Sequence, residues 1–251
     1  MSDEEINTVL KKAMQAIADL PKNQNIRYIS SHYTSLINSL SLFDEWLQHA
    51  VDQKSVRYNA VVNAMTPEER FYELQTQTNI HDFEVFSLNS TMLNSKIVQI
   101  WSAFESFCHQ FCFTLQRELK IPVSIDKFKV EKKGFLNGFE KYLVDMVKMD
   151  IDEFSEDWKD IKRFYFIRNI AVHSSGYLDL TDSRNKSFLK YINTRSDINL
   201  IKNEDLPDFY AFFKPEHLSV LMVGDEYIRF IADTTMRYIK CISKRTDNIF
   251  T

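Results

Sequence analysis

Only four glycines and five prolines interrupt a chain of 251 residues. Glycine supplies the positive φ that tight hairpins need, and proline fixes loop corners, so a chain this poor in both has few places to reverse sharply. The scarcity steers the chain toward long helices, and the expected fold class is all-α. With 44% apolar and 14% aromatic residues, the sequence has material for a substantial core.

Helical spacing recurs along most of the chain. From Asp3 to Leu20 the apolar residues Ile6, Val9, Leu10, Ala13 and Ile17 fall every three or four positions, and Pro21 closes the segment. A second helical segment runs from about Asn25 into the sixties. Thr66-Pro67-Glu68-Glu69 reads as a helix start: Thr66 accepts from a free N–H, Pro67 suits the first helical position, and two acids meet the positive end of the dipole. From about Asp82 to Lys120 there is no Gly or Pro, and Ile97, Ile100, Trp101, Phe104, Phe107, Cys108, Phe111 and Leu115 predict a long buried helix that Ile121-Pro122 breaks. Gly134 to Met149 predicts a shorter amphipathic helix and Ile151 to Ser174 another, stopped by Gly176. Between Leu178 and Phe213 the pattern is irregular, and INLI and FYAFF read as short strands or extended arms. From Pro215 to Lys244 the spacing of Leu218, Leu221, Met222, Tyr227, Ile228 and Ile231 predicts a closing helix. The expected division is a helical extension over 1–80 and a helical domain over 81–251.

Formal net charge is −4, so the average field of the protein does not attract a polyanion, and any nucleic-acid contact must be local. No apolar run approaches the roughly 20 residues that cross a bilayer. The opening MSDEEINTVLKKAMQ is polar and acidic, so no membrane contact is expected and the expected location is cytoplasmic. Three cysteines, Cys108, Cys112 and Cys241, are an odd number in a chain of this length and read as buried thiols rather than a disulfide framework. Cys108 and Cys112 share a helix face while His109 points about 100° away, and no second ligand pair accompanies them, so no metal site is expected. A glycine-rich phosphate loop, Gly-x-Ser-x-Gly and His-Glu-x-x-His are all missing from the sequence, which argues against nucleotide kinases, serine hydrolases of the common fold and zinc proteases.

The chemistry concentrates in RFYFIRNIAVHSSGYLDL, residues 163–180, where a helix rich in aromatics places Arg168, Asn169 and His173 in its last two turns. At about 100° per residue, Asn169 and His173 lie on one face, while Arg168 sits about 140° from His173; a long arginine can bend round to join them, and a two-fold dimer would set two copies of the helix side by side. His173 falls where unpaired carbonyls favour imidazolium, which suits proton transfer near neutral pH. The planar fork of Arg168 matches phosphate oxygens in pairs, and Asn169 can orient either neighbour. An arginine with such a histidine suffices to cleave RNA without metal.

Arg168-Asn169-x-x-x-His173, at a helix end before Ser-Ser-Gly, resembles the Arg-polar-(x)-His signature of the HEPN superfamily. The upstream helix IVQIWSAFESFCHQFCF is similar to that family's preceding core helix, with Glu105 in place of its acidic residue. The resemblance covers roughly Asp82 to Lys244. It implies a HEPN-like helical bundle, here with an added N-terminal helical layer, that forms a homodimer with Arg and His of both subunits at an interface cleft. It also implies a metal-independent, cofactor-free endoribonuclease of the kind found in toxin–antitoxin and antiviral systems. Arg168, Asn169 and His173 transfer on the motif.

Simpler roles stand beside these. Arg168 and His173 can equally be a surface ion pair and a helix-end cap. Glu105 either supports catalysis or bridges to Arg168 or Arg163, since a buried acid needs a partner. Lys159, Lys162 and Arg163 either guide an RNA backbone or form a solvated face. The alternative function is a non-catalytic HEPN-like dimer that binds a nucleotide or a regulatory partner. In a third reading the motif receives a neutralising antitoxin, with Tyr177 as a modification target.

Overall fold

The computed structural model describes residues 22–76, 78–131, 134–151, 155–174, 176–202 and 218–250. The helix expected over Asp3–Leu20, the FYAFF arm and Pro215 lie outside them. Helix α1 spans Lys22–Ala64, α2 Pro67–Thr76, α3 Thr78–Leu119, α4 Ile125–Glu131 and α5 Phe135–Lys141. Helix α6 spans Ser155–His173, α7 Lys186–Ile192 and α8 Asp225–Phe250, with strands β1 at Tyr177–Asp179, β2 at Ile198–Lys202 and β3 at Leu218–Val223. The protein is predominantly helical, as an all-α chain should be, with one small sheet added. Among the described residues no helix is long and apolar enough to cross a membrane.

Several expected boundaries hold for the expected reasons. Thr66 and Glu69 form a reciprocal cap at the start of α2: the Thr66 amide donates to Glu69 Oε2 at 2.9 Å, and the Glu69 amide to Thr66 Oγ1 at 3.3 Å. Helix α3 ends at Leu119, one residue before Lys120 turns to φ 53° ahead of Ile121-Pro122. Its stripe from Ile97 to Leu115 is buried.

Two expectations need correction. The segment 134–149 is α-helical only to Lys141; Tyr142–Met146 widens into a π-turn, where the Val147 amide donates to Tyr142 O at 3.1 Å. The closing helix does not begin at Pro215, because Leu218–Val223 is a strand and α8 starts at Asp225. β3 is the central strand of the order β1-β3-β2, antiparallel to both neighbours, with Leu178 opposite Ser219 and Leu200 opposite Leu221. A strand covered on both faces reads as a continuous apolar run, which periodicity does not separate from a buried helix. Gly224 makes the junction: its amide donates to Asp197 O at 2.8 Å, and a Cβ there would lie 3.1 Å from that oxygen.

The chain forms two compact units. One comprises Met1–Leu36, Ser102–Lys162 and Asp233–Thr251; the other comprises Ile37–Trp101 and Arg163–Ala232. In the first, an aromatic core gathers around Trp158, whose ring stacks on Tyr238 at 5.1 Å and lies 5.7 Å from Phe139. Tyr33 donates to Thr235 Oγ1 at 2.8 Å inside the same core, so its hydroxyl is not left unpaired. In the second unit, Trp101 packs against Phe164 and Tyr165 at 6.1 and 4.8 Å. There Arg195 is gripped by Asp197 and stacked on Phe230 and Tyr227 at 4.3 and 5.0 Å. Buried Lys96 reaches Asp225 at 2.8 Å, placing an ion pair at the first turn of α8.

Candidate functional site

Helix α6 opens with Glu156 and Asp157 at its positive dipole end and buries Trp158, Ile161, Phe164, Ile167 and Ile170 along a stripe that winds round the helix. Arg168 and Asn169 are half-buried and His173 is exposed. The helix then stops abruptly. The Ser174 and Gly176 amides both donate to Ile170 O, at 3.0 and 3.1 Å, with Gly176 at φ +84°. A residue with a Cβ is strained at that angle, so the glycine is what lets the chain turn straight into β1. Gly176 O accepts from the Leu221 amide at 2.8 Å, tying the end of α6 to the central strand.

This reversal folds the turn after β1 back beside the last turns of α6 and encloses an open cleft of about 730 Å³. Arg168, Asn169 and His173 line it from α6, Tyr177 and Asp179 from β1, and Asp182, Arg184 and Asn185 from the following turn. The cleft lies wholly within the second unit. Arg168 bends toward its neighbour: its Nη1 donates to Asn169 Oδ1 at 3.0 Å. Its Nε is buried and has no hydrogen-bond partner among the described residues. A buried donor left unmade is costly, so this arginine is held by its neighbour but not satisfied by the protein.

The 179–185 turn is rigidly built. Asp179 Oδ1 accepts from the Thr181 amide and hydroxyl at 2.8 and 2.7 Å, and buried Asn185 donates from Nδ2 to Asp179 O at 2.8 Å. Asp182 accepts from the Arg184 amide at 2.9 Å and grips its guanidinium, which holds the Asp182 carboxyl below the usual carboxylate range. Asp182, Arg184 and Asn185 belong to no motif that the sequence shows. Their only signal was a cluster of charge directly after the helix stop.

The other anticipated residues lie elsewhere. Glu105 is half-buried in α3, belongs to the first unit and does not line the cleft. Lys159 pairs with Glu156 at 2.6 Å, and Lys162 pairs with Glu140 at 2.7 Å while its ammonium sits 5.6 Å from the Trp158 ring centre. Arg163 stacks over Tyr191 at 4.5 Å. None of these three cations lines the cleft.

No protein-family model, curated protein or solved structure matches this chain.

Proposed function

We propose that the protein is a metal-independent endoribonuclease of HEPN type, working as a cytoplasmic homodimer in bacterial antiviral defence or as the toxin of a toxin–antitoxin pair. The observation that carries the reading is Arg168 held by Asn169, with an unengaged buried Nε, in the same cleft as the exposed imidazole of His173. The chemistry follows from the groups. His173 takes the proton of an RNA 2′-hydroxyl as its oxygen attacks the adjacent phosphorus, or returns a proton to the departing 5′-oxygen. Arg168 stabilises the charge that builds on the non-bridging oxygens, and Asn169 fixes the guanidinium for that task. The P–O5′ bond breaks as the 2′-O–P bond forms, leaving a 2′,3′-cyclic phosphate and a 5′-hydroxyl.

The test is cleavage of RNA by purified protein in excess chelator, with end-group analysis. The expected result is a cyclic phosphate product and undiminished activity in chelator. His173→Ala should lower the rate by about 10² to 10⁴, the usual contribution of a positioned proton carrier. Equal cutting by His173→Ala overturns the reading. Intact RNA combined with tight binding of a nucleotide or a partner protein would favour the non-catalytic dimer instead.

A further inference from the structure

Arg184 shares the cleft with Arg168 and His173 but is attached to a different element, the 3-10 turn at Ser183–Asn185. Its side chain is 88% exposed, whereas Asp182 beside it is only 22% exposed. Asp182 receives Arg184 Nε at 3.0 and 2.9 Å on its two oxygens and Nη2 at 2.6 Å. The same carboxylate accepts from the Arg184 amide, so backbone and guanidinium are fixed together.

A guanidinium has five N–H donors in a planar fork. Those contacts engage the Nε–H and one donor on Nη2. Both donors on Nη1 and the second on Nη2 remain on the outer edges, which is the arrangement that accepts two phosphate oxygens side by side. The long side chain is already ordered by Asp182, so little rotamer freedom is lost on binding. Asp182 spends its charge on Arg184, and Asp179 Oδ1 is engaged by Thr181, which moderates the repulsion these carboxylates would offer an anion. The cleft, at about 730 Å³, has room for more than one phosphate group.

We infer that Arg184, oriented by Asp182, binds a backbone phosphate next to the one that is cut, so that the cleft takes a single RNA strand across two consecutive phosphates. The inference rests on the ribonuclease reading of this cleft. Arg184 is a substrate-binding residue, Asp182 its positioning residue, and neither carries the proton.

A dinucleoside monophosphate contains only the scissile phosphate, whereas a hexanucleotide also fills the neighbouring site. The experiment compares kcat/KM on both substrates for the unaltered protein, Arg184→Ala, Arg184→Lys and Asp182→Asn. Arg184→Ala should lower kcat/KM on the hexanucleotide about tenfold or more beyond its effect on the dinucleoside, as loss of a charged hydrogen-bonded pair does. Arg184→Lys should restore part of that difference, and Asp182→Asn should raise KM for the hexanucleotide while leaving the exposed cation in place. Binding of the hexanucleotide to His173→Ala protein should show a log–log salt slope that shrinks by about 0.7 when Arg184→Ala is added, the value for one contact to a single strand. Equal losses on both substrates, or an unchanged salt slope, would overturn the inference. If the unaltered protein cleaves neither substrate, the ribonuclease reading fails and this assignment falls with it.

Discussion

Arg168 and His173 show what a side chain's own chemistry predicts and what it leaves open. A permanently charged fork and an imidazole define the possible reaction before any fold is known. Both line one cleft, and Arg168 bends onto Asn169 there, which helical geometry permitted without requiring. Cys108 and Cys112 are the opposite case, since burial is the leading cause of their behaviour. Cys108 is pushed well above the usual thiol range by burial first, then by Cys112 and Glu105, and Cys112 is raised by burial. Cys241 is only partly buried. Alkylation of the native protein followed by mass measurement should therefore modify Cys241 alone, and all three thiols only after denaturation. Rapid native labelling of Cys108 would contradict the packing of α3.

At the level of elements, the end of α6 does most to form the site. Gly176 holds φ +84° with room for a methyl group, since an added Cβ would meet nothing closer than an ordinary contact at 3.9 Å. The penalty for Gly176→Ala is thus backbone strain rather than a clash, and it should cost about 1–2 kcal/mol by denaturant unfolding. It should also weaken the proposed catalysis beyond what the stability loss explains, because the Gly176 O bond to the Leu221 amide registers α6 against the sheet. A Gly176→Ala protein of unchanged stability would mean that this angle is not required. The stop was legible from Ser-Ser-Gly. The strand it leads to was not, because Leu218–Val223 is short, aliphatic and covered on both faces, and its identity comes from two partners more than 15 residues away along the chain. Arg184 was illegible in the sequence for a related reason: the turn after β1 brings it to the cleft that His173 lines, which no spacing rule encodes.

Across the whole molecule, a consistent set of buried acids governs response to alkali. Besides Cys108 and Cys112, Tyr33, Tyr142 and Tyr238 are all raised above the ordinary tyrosine value of 10.0 by burial, with Tyr142 pushed up to about 12. The unfolded chain loses these protons at ordinary pKa values while the folded chain retains them. Their contribution to stability is therefore complete below about pH 8 and is lost as pH rises past the unfolded thiol and phenol values. The urea midpoint should fall steadily between pH 8 and pH 10.5; a flat profile would show that these groups ionise equally well in the folded protein. Sequence alone determined the helical class, the cap at Thr66, the long buried α3 and the placing of Arg168, Asn169 and His173 at the end of one helix, because each is set by residues within one or two turns of one another. The sheet order, the position of β3 and the pairing of α6 with the Asp182–Arg184 turn came only with the tertiary structure. They depend on which distant segments cover an apolar run and satisfy its backbone, and local periodicity holds no record of that choice.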